Sequence, residues 1–530
     1  MILDKDLLSI QQARNLAAKA KEAQLEYQHF SQGQVDKIIK AMAEAGYEAS
    51  EKLAQMACDE AGFGVFEDKI IKNQFSTKNV YESIKNLKTV GIIAEEEGGK
   101  VLKIAAPMGV VCALVPSTNP TSTAMFKALI SLKSRNGMVA SPHPRTAKCT
   151  AEALKILSDA AEKAGAPKGI IQCLSEPTIE GTEALMSDKN IAVILATGST
   201  PMVKAAYSAG KPAYGVGSGN VPAFIERSAD YHKAVADIVF GTSFDNGTLC
   251  SSEQSMIVDL PLKEKIIEEA KLQGCYFVSA EEKEKLAKAV QNTLRINPEI
   301  VGKSATFIAN YAGFSVPDKT KVLVANCYDV GKSEPLSIEK LSPVLAFYTV
   351  DGWLEGCHRC IELLKFGGIG HTMVIHSNDE PIIMKFALEK PAFRILVNTP
   401  ASVGAVGYTT ALDPSMTLGP GTWGGSIISD NVTAKHLMNV KSLAFETNPV
   451  NEGKVIDKFE TKKYKVTKDW FMKEIEDRLR ERAGNLPLKD EYTYHEKISP
   501  SEKPPEPIKP VTLGSGITEA EIQKIIEEFN

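Results

Sequence analysis

The sequence predicts an α/β protein built on a doubly wound parallel sheet. From about residue 108, short apolar runs alternate with stretches that have helical periodicity. The runs are apolar on both faces, as strands covered by helices on both sides must be. Repeated strand–helix units of this kind favour a parallel sheet. The predicted strands of this first unit span residues 109–115, 137–141, 169–173 and 191–196.

The segments on either side of this unit complete the predicted architecture. Residues 10–95 carry apolar side chains at helical spacing, Ala13 and Ala17 among them, and are predicted to be helical. A second α/β stretch follows from about residue 236 to 430. Its predicted strands span residues 321–325, 344–350, 372–376 and 395–398.

Length and composition limit the classes of protein that fit. A chain of 530 residues exceeds what one hydrophobic core usually serves, so two or three domains are expected. A net charge of −5 supplies no broad basic surface, which disfavours nucleic-acid binding. No apolar run reaches the ~18 residues of a membrane span, and the first residues lack a signal-peptide pattern. Nine cysteines, an odd number, are typical of free thiols in a reducing compartment. We therefore expect a cytoplasmic protein without membrane or nucleic-acid partners.

The C-terminal end differs from the rest in composition. It is strongly charged after residue 453, with a helix predicted over 467–483. Five prolines within residues 500–510 predict a stiff, solvated linker. Beyond it, Thr518 and Glu521 have capping-box spacing at the start of a short amphipathic helix. Its apolar stripe consists of Ile522, Ile525, Ile526 and Phe529. An isolated helix this short is marginal in water, so a partner surface is expected.

The most informative segment surrounds Cys250. An Asn-Gly pair precedes it and small polar residues follow it, which predicts a turn where backbone amides can face the sulfur. Such donors lower a thiol pKa and can stabilise an oxyanion. The alternative is that Cys250 is one of nine buried thiols.

A second segment, residues 115–127, follows a predicted strand and opens a helix. This is the edge of the sheet at which such folds bind ligands. The side-chain amide of Asn119 could donate to an oxygen that develops charge. The alternative is a simple helix cap with Pro120 at the first helical position.

Together these segments resemble the aldehyde dehydrogenase superfamily over roughly residues 1–450. The resemblance is closest to the coenzyme A-acylating branch, which includes acetaldehyde and propionaldehyde dehydrogenases and the N-terminal half of bifunctional aldehyde-alcohol dehydrogenases. Eight motifs in the right order are more specific than any one of them. They lie at residues 118–123, 126–130, 141–144, 197–199, 215–222, 244–254, 370–372 and 418–425.

The resemblance implies a Rossmann-type cofactor domain, an α/β catalytic domain and a role for each site residue. Cys250 would be the nucleophile, and Asn119 would hold the hemithioacetal oxyanion together with the Cys250 backbone N–H. Collapse of that intermediate would expel hydride to nicotinamide and leave an acyl-cysteine thioester. His371 would lie near the acyl group or the coenzyme A thiol, or would be a structural histidine at a strand start.

One departure from the family pattern selects the branch. In hydrolytic members, a glutamate of a Glu-Leu-Gly-Gly motif activates the water that cleaves the thioester. Gly215-Val-Gly-Ser218 stands at the matching place here. Without a positioned base, water is hard to deprotonate, whereas a thiol is more acidic and more nucleophilic. We therefore expect acyl transfer to coenzyme A from a small aldehyde such as acetaldehyde or propionaldehyde. The alternative is hydrolysis to a carboxylic acid.

Cofactor contacts follow from the same resemblance. NAD is expected rather than NADP, although Ser-Pro-His-Pro at residues 141–144 replaces the motif that normally reaches the adenosine ribose. The amides of residues 197–199 suit a pyrophosphate because they open a helix; the alternative is an ordinary capped helix. No metal is expected, since Cys357 and Cys360 have no second pair and fit an amphipathic helix better. The expected cofactor-binding residues are Ser141, Pro142, His143, Thr197, Gly198, Ser199, Gly215, Val216, Gly217, Glu339 and Leu341.

The expected organisation combines these parts. The linker and terminal helix resemble an encapsulation peptide, which carries cargo enzymes into bacterial microcompartments by binding a shell protein; the alternative is a helix that packs on its own oligomer. A homodimer or homotetramer is expected from the family.

The predicted segments are a dinucleotide-binding domain at 1–235, a catalytic domain at 236–430, a return or oligomerisation segment at 431–455, a charged extension at 456–498, a linker at 499–516 and the targeting helix at 517–530.

Overall fold

The N-terminal part of the protein is helical. The computed structural model describes residues 4–292, 295–448 and 450. The first helices are α1 (Lys5–Tyr27), α2 (Gln32–Glu48), α3 (Ser50–Ala61), α4 (Phe66–Gln74) and α5 (Val80–Ile84), with one π-helical turn at Phe75–Asn79. The helical prediction for residues 10–95 is confirmed as far as Ile84. It is wrong for Gly91–Glu96, which forms strand β1 and pairs with the antiparallel strand β2 (Val101–Pro107).

The first parallel sheet has five strands. They are β3 (Val110–Val115), β4 (Gly137–Pro142), β5 (Ile171–Cys173), β6 (Ile191–Thr197) and β7 (Ala213–Val216). Their order is β5-β4-β3-β6-β7 and every neighbouring pair is parallel. The helices α6 (Pro120–Lys133), α7 (Ala147–Lys163), α8 (Ile179–Ser187) and α9 (Thr200–Ser208) connect the strands. All residues of β3 and β4 are buried, as expected for strands covered on both faces.

The second parallel sheet has seven strands. They are β8 (Val221–Ile225), β9 (Glu253–Asp259), β10 (Cys275–Phe277), β13 (Val322–Asn326), β14 (Val344–Val350), β15 (Gly370–His376) and β16 (Ala392–Val397). Their order in the sheet is β10-β13-β14-β9-β8-β15-β16. Between β10 and β13, β11 (Gln291–Asn292) and β12 (Arg295–Ile296) form a short ribbon. The helices of this part are α10 (Tyr231–Ser243), α11 (Lys263–Leu272), α12 (Ala280–Val290), α13 (Ala305–Ala312), α14 (Gly352–Phe366), α15 (Glu380–Glu389) and α16 (Ala401–Ala405).

A third sheet joins distant parts of the chain. Strand β17 (Met438–Ala444) pairs antiparallel with β2, so the order is β1-β2-β17. Beyond Met438, the residues of β17 are exposed. This antiparallel sheet was not predicted, because its central pairing joins strands more than 300 residues apart, and such pairing leaves no local pattern.

The α/β class and the first parallel sheet are confirmed, and the predicted second α/β stretch contributes a second parallel sheet. All eight predicted strands are present with their ends shifted by a few residues, and β7, β8, β9, β10, β11 and β12 were missed. The domain boundaries stay predictions, as does the assignment of 431–455. The charged extension, the linker and the targeting helix lie outside the described residues. Over the part of the chain that the structure describes, no helix is long and apolar enough to cross a membrane.

Candidate active site

A pocket of about 450 Å³ lies at the carboxyl edge of the first sheet. The ends of β3, β4, β6 and β7 line one side of it, as the topology of a doubly wound sheet requires. The other side is formed by the segment that ends at Cys250 and by Glu339 and Leu341. Asn119, at the start of α6, lines the same pocket. The structure therefore brings together the two residues that the sequence singled out for covalent chemistry.

The chain approaches Cys250 through a tight turn after α10. Asp245, Asn246 and Gly247 all have positive φ, at 47°, 53° and 72°. The left-handed region is costly for most residues, but Asn, Asp and Gly tolerate it, so this sequence suits the turn. The backbone of Gly219 passes close to the far side of Cys250. A Cβ atom at Gly219 would lie 2.1 Å from the Cys250 carbonyl oxygen, so only glycine fits there.

Some groups around the Cys250 thiol raise its pKa and others lower it. Burial, and after it the carboxylate of Glu339, raises the pKa of Cys250 to about 12. The charge of Arg394, the Cys250 backbone N–H and the charge of Lys72 act in the opposite direction. In this state the sulfur is therefore a protonated thiol. Since the thiolate is the nucleophile, the balance between these charges controls reactivity.

Asn119 precedes α6, with Pro120 at the first helical position. Its side chain makes no capping hydrogen bond to the described backbone of that helix, so the helix-cap alternative is not supported. Instead, Nδ2 donates to the Thr248 carbonyl oxygen at 3.2 Å and to the Thr118 hydroxyl at 3.1 Å. Oδ1 accepts a 2.7 Å hydrogen bond from Nζ of Lys72. The amide is thus held beside the Cys250 segment.

A buried charged cluster next to Asn119 was not predicted from the sequence. Nζ of Lys72 lies 2.5 Å and Nζ of Lys69 3.0 Å from Oδ2 of Asp245, and all three side chains are at least 95% buried. The Thr248 hydroxyl also donates to Oδ2 of Asp245. Burial would raise the pKa of Asp245, but the two ammonium groups together hold it below its ordinary value. For Lys72, burial outweighs the attraction and lowers its pKa to about 8.

The residues predicted to contact the adenosine and pyrophosphate all line the pocket. They are Ser141, Pro142 and His143 at the end of β4, and Thr197, Gly198 and Ser199 between β6 and α9. The Ser141 hydroxyl lies 2.8 Å from the Thr182 hydroxyl. Ser199 is the capping residue of α9, yet its side chain accepts no hydrogen bond from the described N–H groups of that helix. Uncapped amides at a helix N-terminus suit an anionic group such as a pyrophosphate.

Glu339 and Leu341 line the opposite wall of the pocket. Oε1 of Glu339 accepts a 2.8 Å hydrogen bond from the backbone N–H of Gly219. Burial nevertheless raises the pKa of Glu339 to about 7. Leu341 has a φ of 44°, a strained value for this residue type.

The glycine-rich segment after β6 divides into two parts. Val216 and Gly217 line the pocket, whereas Gly215 lies outside the lining formed by the described residues. Gly215 belongs to β7 and faces α9 instead. A Cβ atom at Gly215 would lie 2.6 Å from the Tyr207 hydroxyl and 2.6 Å from Cγ1 of Val203. This position therefore has no room for a glutamate.

His371 is buried at the start of β15 and is not in the pocket lining given by the described residues. Its Nδ1 lies 2.9 Å from the Thr372 hydroxyl. Burial lowers the pKa of His371 to about 3, so the ring is neutral at ordinary pH. The ring packs behind Gly219, because a Cβ atom there would lie 3.1 Å from Nδ1. Both roles that were predicted for His371 remain predictions.

Cys357 and Cys360 lie buried on α14, as the amphipathic-helix interpretation predicted. Lys390 donates a hydrogen bond to the Cys357 sulfur. Within residues 4–292 and 295–448, no group of three or more His, Cys, Asp or Glu side chains has the geometry to hold a metal ion.

The chain is similar to known aldehyde dehydrogenases. Residues 5–275 match the aldehyde dehydrogenase family. The bifunctional aldehyde-alcohol dehydrogenase of Escherichia coli is 44% identical over 434 residues, which cover 81% of this chain and 49% of that protein. The chain spans about half the length of the aldehyde-alcohol dehydrogenases that it matches.

Two solved structures share the fold. The crystal structure of an acetylating aldehyde dehydrogenase from Geobacillus thermoglucosidasius is 50% identical and has a TM-score of 0.84, covering 85% of this chain and all of that one. A propionaldehyde dehydrogenase from the fucose utilisation bacterial microcompartment of Clostridium phytofermentans is 29% identical, with a TM-score of 0.73. That match covers 81% of this chain and 96% of the other.

Proposed function

Because the chain belongs to the aldehyde dehydrogenase family, we propose that it oxidises a short-chain aldehyde with NAD and transfers the acyl group to coenzyme A. The observation that carries this proposal is that Cys250 and Asn119 line one pocket. A nucleophile and an amide donor in one site suit a reaction that passes through an oxyanion.

Cys250 performs the covalent step. The Cys250 thiol first loses its proton to solvent. The thiolate then attacks the carbonyl carbon of the aldehyde and forms a carbon–sulfur bond, and the carbonyl oxygen becomes an oxyanion. Nδ2 of Asn119 and the backbone N–H of Cys250 donate to that oxygen. When bound, NAD supplies the acceptor for the hydride that leaves the carbon. The acyl group then remains on the Cys250 sulfur as a thioester.

The second half of the reaction needs a nucleophile that works without a carboxylate base at residue 215. The steric contacts of Gly215 with Tyr207 and Val203 support this part of the proposal, since they leave no space for a glutamate. A thiol ionises far more readily than water and attacks a thioester with less help. Coenzyme A therefore resolves the acyl-cysteine, the Cys250 thiolate is released, and acyl-coenzyme A is the product. Hydrolysis to a free acid is disfavoured.

The cofactor is proposed to bind along the first sheet. The uncapped N-terminus of α9 supports a pyrophosphate site at Thr197, Gly198 and Ser199. Glu339, with Leu341 beside it, is proposed to contact the nicotinamide ribose from the opposite wall. The adenosine end is assigned to Ser141, Pro142 and His143, with NAD preferred over NADP. Val216 and Gly217 complete the wall between these ends.

The substrate is proposed to be acetaldehyde or propionaldehyde. One structural relative is named as an acetylating enzyme and another as a propionaldehyde dehydrogenase.

The test of this function follows NADH formation from acetaldehyde and NAD, with and without coenzyme A, in the wild type and in Cys250→Ala. We expect sustained turnover only with coenzyme A, and an acyl adduct on the Cys250 peptide when coenzyme A is omitted. Cys250→Ala should lose both, whereas Cys58→Ala, a matched change at a half-buried cysteine, should keep both. Turnover that is independent of coenzyme A would favour the hydrolytic enzyme. An active Cys250→Ala variant would refute both reactions.

We also propose that the enzyme is a homodimer or homotetramer and is cargo of a bacterial microcompartment. The exposed edge strand β17 supports self-association, since an open edge readily pairs with another chain. The apolar stripe of residues 517–530 and the microcompartment origin of one structural relative support targeting. Deletion of residues 511–530 should preserve activity and the oligomeric state determined by light scattering but abolish co-purification with shell proteins. Loss of activity would contradict the targeting role.

A further inference from the structure

The ammonium group of Lys72 is buried beside the proposed active site, and the mechanism above does not use it. Its Nζ donates to three oxygens: Oδ1 of Asn119 at 2.7 Å, Oδ2 of Asp245 at 2.5 Å and Oγ1 of Thr248 at 2.9 Å. An ammonium group has three N–H donors, so each one has a partner. The group is therefore fixed in position by α4 and by the turn that leads to Cys250.

This contact determines which end of the Asn119 amide faces Cys250. A lysine can donate but cannot accept, so the atom of Asn119 that faces Lys72 must be the oxygen. The NH₂ group then points the other way, towards the Thr248 carbonyl and the Thr118 hydroxyl. Both of these are neutral acceptors. A charged oxyanion is a stronger acceptor than either, so it can take over one N–H during the reaction.

The charge of Lys72 also acts through the amide. A cation on the amide oxygen draws electron density from the nitrogen, and hydrogen bonds in such a chain strengthen one another in a low-dielectric site. The N–H groups of Asn119 thereby become better donors. The effect requires a buried cation, and the Lys72 side chain is only 5% exposed.

We propose that Lys72 is a positioning residue that fixes the Asn119 amide in its donating orientation and polarises it towards the oxyanion. This inference rests on the proposed function, because it assumes that Asn119 stabilises an oxyanion on the adduct of Cys250. Asp245 also accepts a hydrogen bond from the ammonium group and helps to hold it in place. Lys72 itself touches neither the substrate nor the cofactor in this assignment.

The neighbouring Lys69 provides a matched control. It is equally buried and also bonds Oδ2 of Asp245, at 3.0 Å. Its second contact is to the Thr118 carbonyl oxygen at 3.4 Å, and it makes no hydrogen bond to Asn119 among the described contacts. Removing either lysine therefore disturbs the same carboxylate, but only removal of Lys72 releases the amide.

If Lys72 acts in this way, the rate of Cys250 acylation should depend on the ionisation of its ammonium group. Asp245 faces Lys72 from the turn after α10, Lys69 and Asp68 come from its own helix α4, and Cys250 lies on the pocket side. Burial lowers the pKa of Lys72 to about 8, ahead of the opposing effect of Asp245. Below that pH the ammonium form predominates. As the pH rises through it, the amide loses its fixed partner and its polarisation.

The experiment measures the rate of Cys250 acylation as a single-turnover burst of NADH with saturating aldehyde and NAD. Lys72→Met keeps the length of the side chain and removes the charge and the donors. We expect a loss of about 10- to 100-fold in the burst rate, with little change in the aldehyde concentration that gives half the maximal rate. Adding Asn119→Ala to Lys72→Met should cost little more, because the two residues act as a unit. For Lys69→Met combined with Asn119→Ala, the two losses in burst rate should instead add as free energies.

The pH profile separates positioning from a general structural role. The ratio of the wild-type rate to that of Lys72→Met should be constant below about pH 8 and fall above it. Lys72→Arg keeps its charge at every pH tested, so its rate relative to wild type should rise above that pH. If thermal unfolding shows that Lys72→Met does not fold, the pH profile of Lys72→Arg alone tests the inference. Additive losses, or a ratio independent of pH, would refute the inference. A wild-type enzyme without an acyl adduct on Cys250 would refute the proposed function instead.

Discussion

Nε of Arg394 donates a hydrogen bond to the hydroxyl oxygen of Thr372 across 3.2 Å. The same hydroxyl lies 2.9 Å from Nδ1 of His371. Since Arg394 can only donate, Thr372 accepts from it and can give its own proton to Nδ1. This arrangement is compatible with a neutral His371 ring that carries its proton on Nε2. The nearby charge of Arg394 also disfavours a second proton, after burial itself.

The first prediction concerns the charge of His371. With a pKa of about 3, the ring stays neutral from about pH 5 upwards and contributes no ionisation to the rate. The ratio of kcat for His371→Gln to kcat for the wild type should therefore be constant between about pH 5 and 8. A ratio that changes around the ordinary histidine pKa would indicate that His371 carries a proton in the reaction.

The second prediction concerns the thiol of Cys250. The pKa of Glu339 is raised to about 7, so its carboxylate is charged above that pH and raises the pKa of Cys250. Glu339→Gln removes the charge. Alkylation of Cys250 by iodoacetamide should then be about 3- to 10-fold faster than in the wild type near pH 8.5, and equally fast well below pH 7.

The rate is best followed by mass spectrometry of the Cys250 peptide. Glu334→Gln is a suitable control, because that carboxylate is also buried but pairs with Lys283 and affects Cys327 rather than Cys250. If Glu339→Gln slows alkylation, or if Glu334→Gln has the same effect, the charge of Glu339 does not control the thiol.

The third prediction concerns stability. Burial raises the pKa of Glu253 from 4.5 to about 8, and its Oε2 has no hydrogen-bond partner among the described residues. The folded protein therefore retains a proton that the unfolded chain loses. The stabilising contribution is complete below about pH 4.5 and is lost as the pH rises to about 8, by about 1.4 kcal/mol per pH unit.

Glu253→Gln stays neutral at every pH and can keep the hydrogen bond from the Ala401 N–H. The melting temperature of the wild type should thus fall relative to that of the variant between about pH 5 and 8. Glu281→Gln, an exposed change, should leave the difference independent of pH. A constant difference for Glu253→Gln would mean that this carboxyl group is ionised in the folded protein throughout.

The site residues that could be predicted from the sequence are those that lie in recognisable local motifs. Cys250 after its Asn-Gly turn and Asn119 after a buried strand could be recognised because each segment has its own signature and the sheet topology brings strand ends together. Lys69 and Lys72 could not. They lie on α4, more than 40 residues before Asn119 and more than 170 before Asp245, and the sequence of that helix resembles any charged helix. Only tertiary packing buries these two lysines.

The difference between local patterns and tertiary packing also explains why the helical prediction for residues 91–96 was wrong. Residues 91–96 end in Ala-Glu-Glu, which favours a helix locally, yet they pair with β2. Strand formation here depends on β2 and on the pairing of β2 with β17, so tertiary context overrides local preference. Strands such as 344–350 were identified correctly because burial on both faces leaves a continuous apolar run.

The final prediction tests the steric argument at Gly215. The Tyr207 hydroxyl lies 3.1 Å from the Gly215 nitrogen and accepts its N–H, so β7 and α9 are packed closely at this point. A methyl group at residue 215 would lie 2.6 Å from both the Tyr207 hydroxyl and Cγ1 of Val203. Overpacking of this kind typically costs about 1–3 kcal/mol. Gly215→Ala should therefore lower the melting temperature measurably.

Gly217 provides the comparison, because a methyl group there would meet Thr200 alone, with the hydroxyl oxygen at 3.5 Å as its nearest atom. Its φ is not in the left-handed region, so Gly217→Ala should leave the melting temperature almost unchanged. Gly215→Glu should be less stable than Gly215→Ala and should gain no coenzyme A-independent turnover, since its carboxylate would meet α9 rather than the acyl group. A stable Gly215→Glu variant that releases free acid would show that the backbone can turn this position towards Cys250. The absence of hydrolysis would then rest on the missing carboxylate alone and not on the packing of β7 against α9.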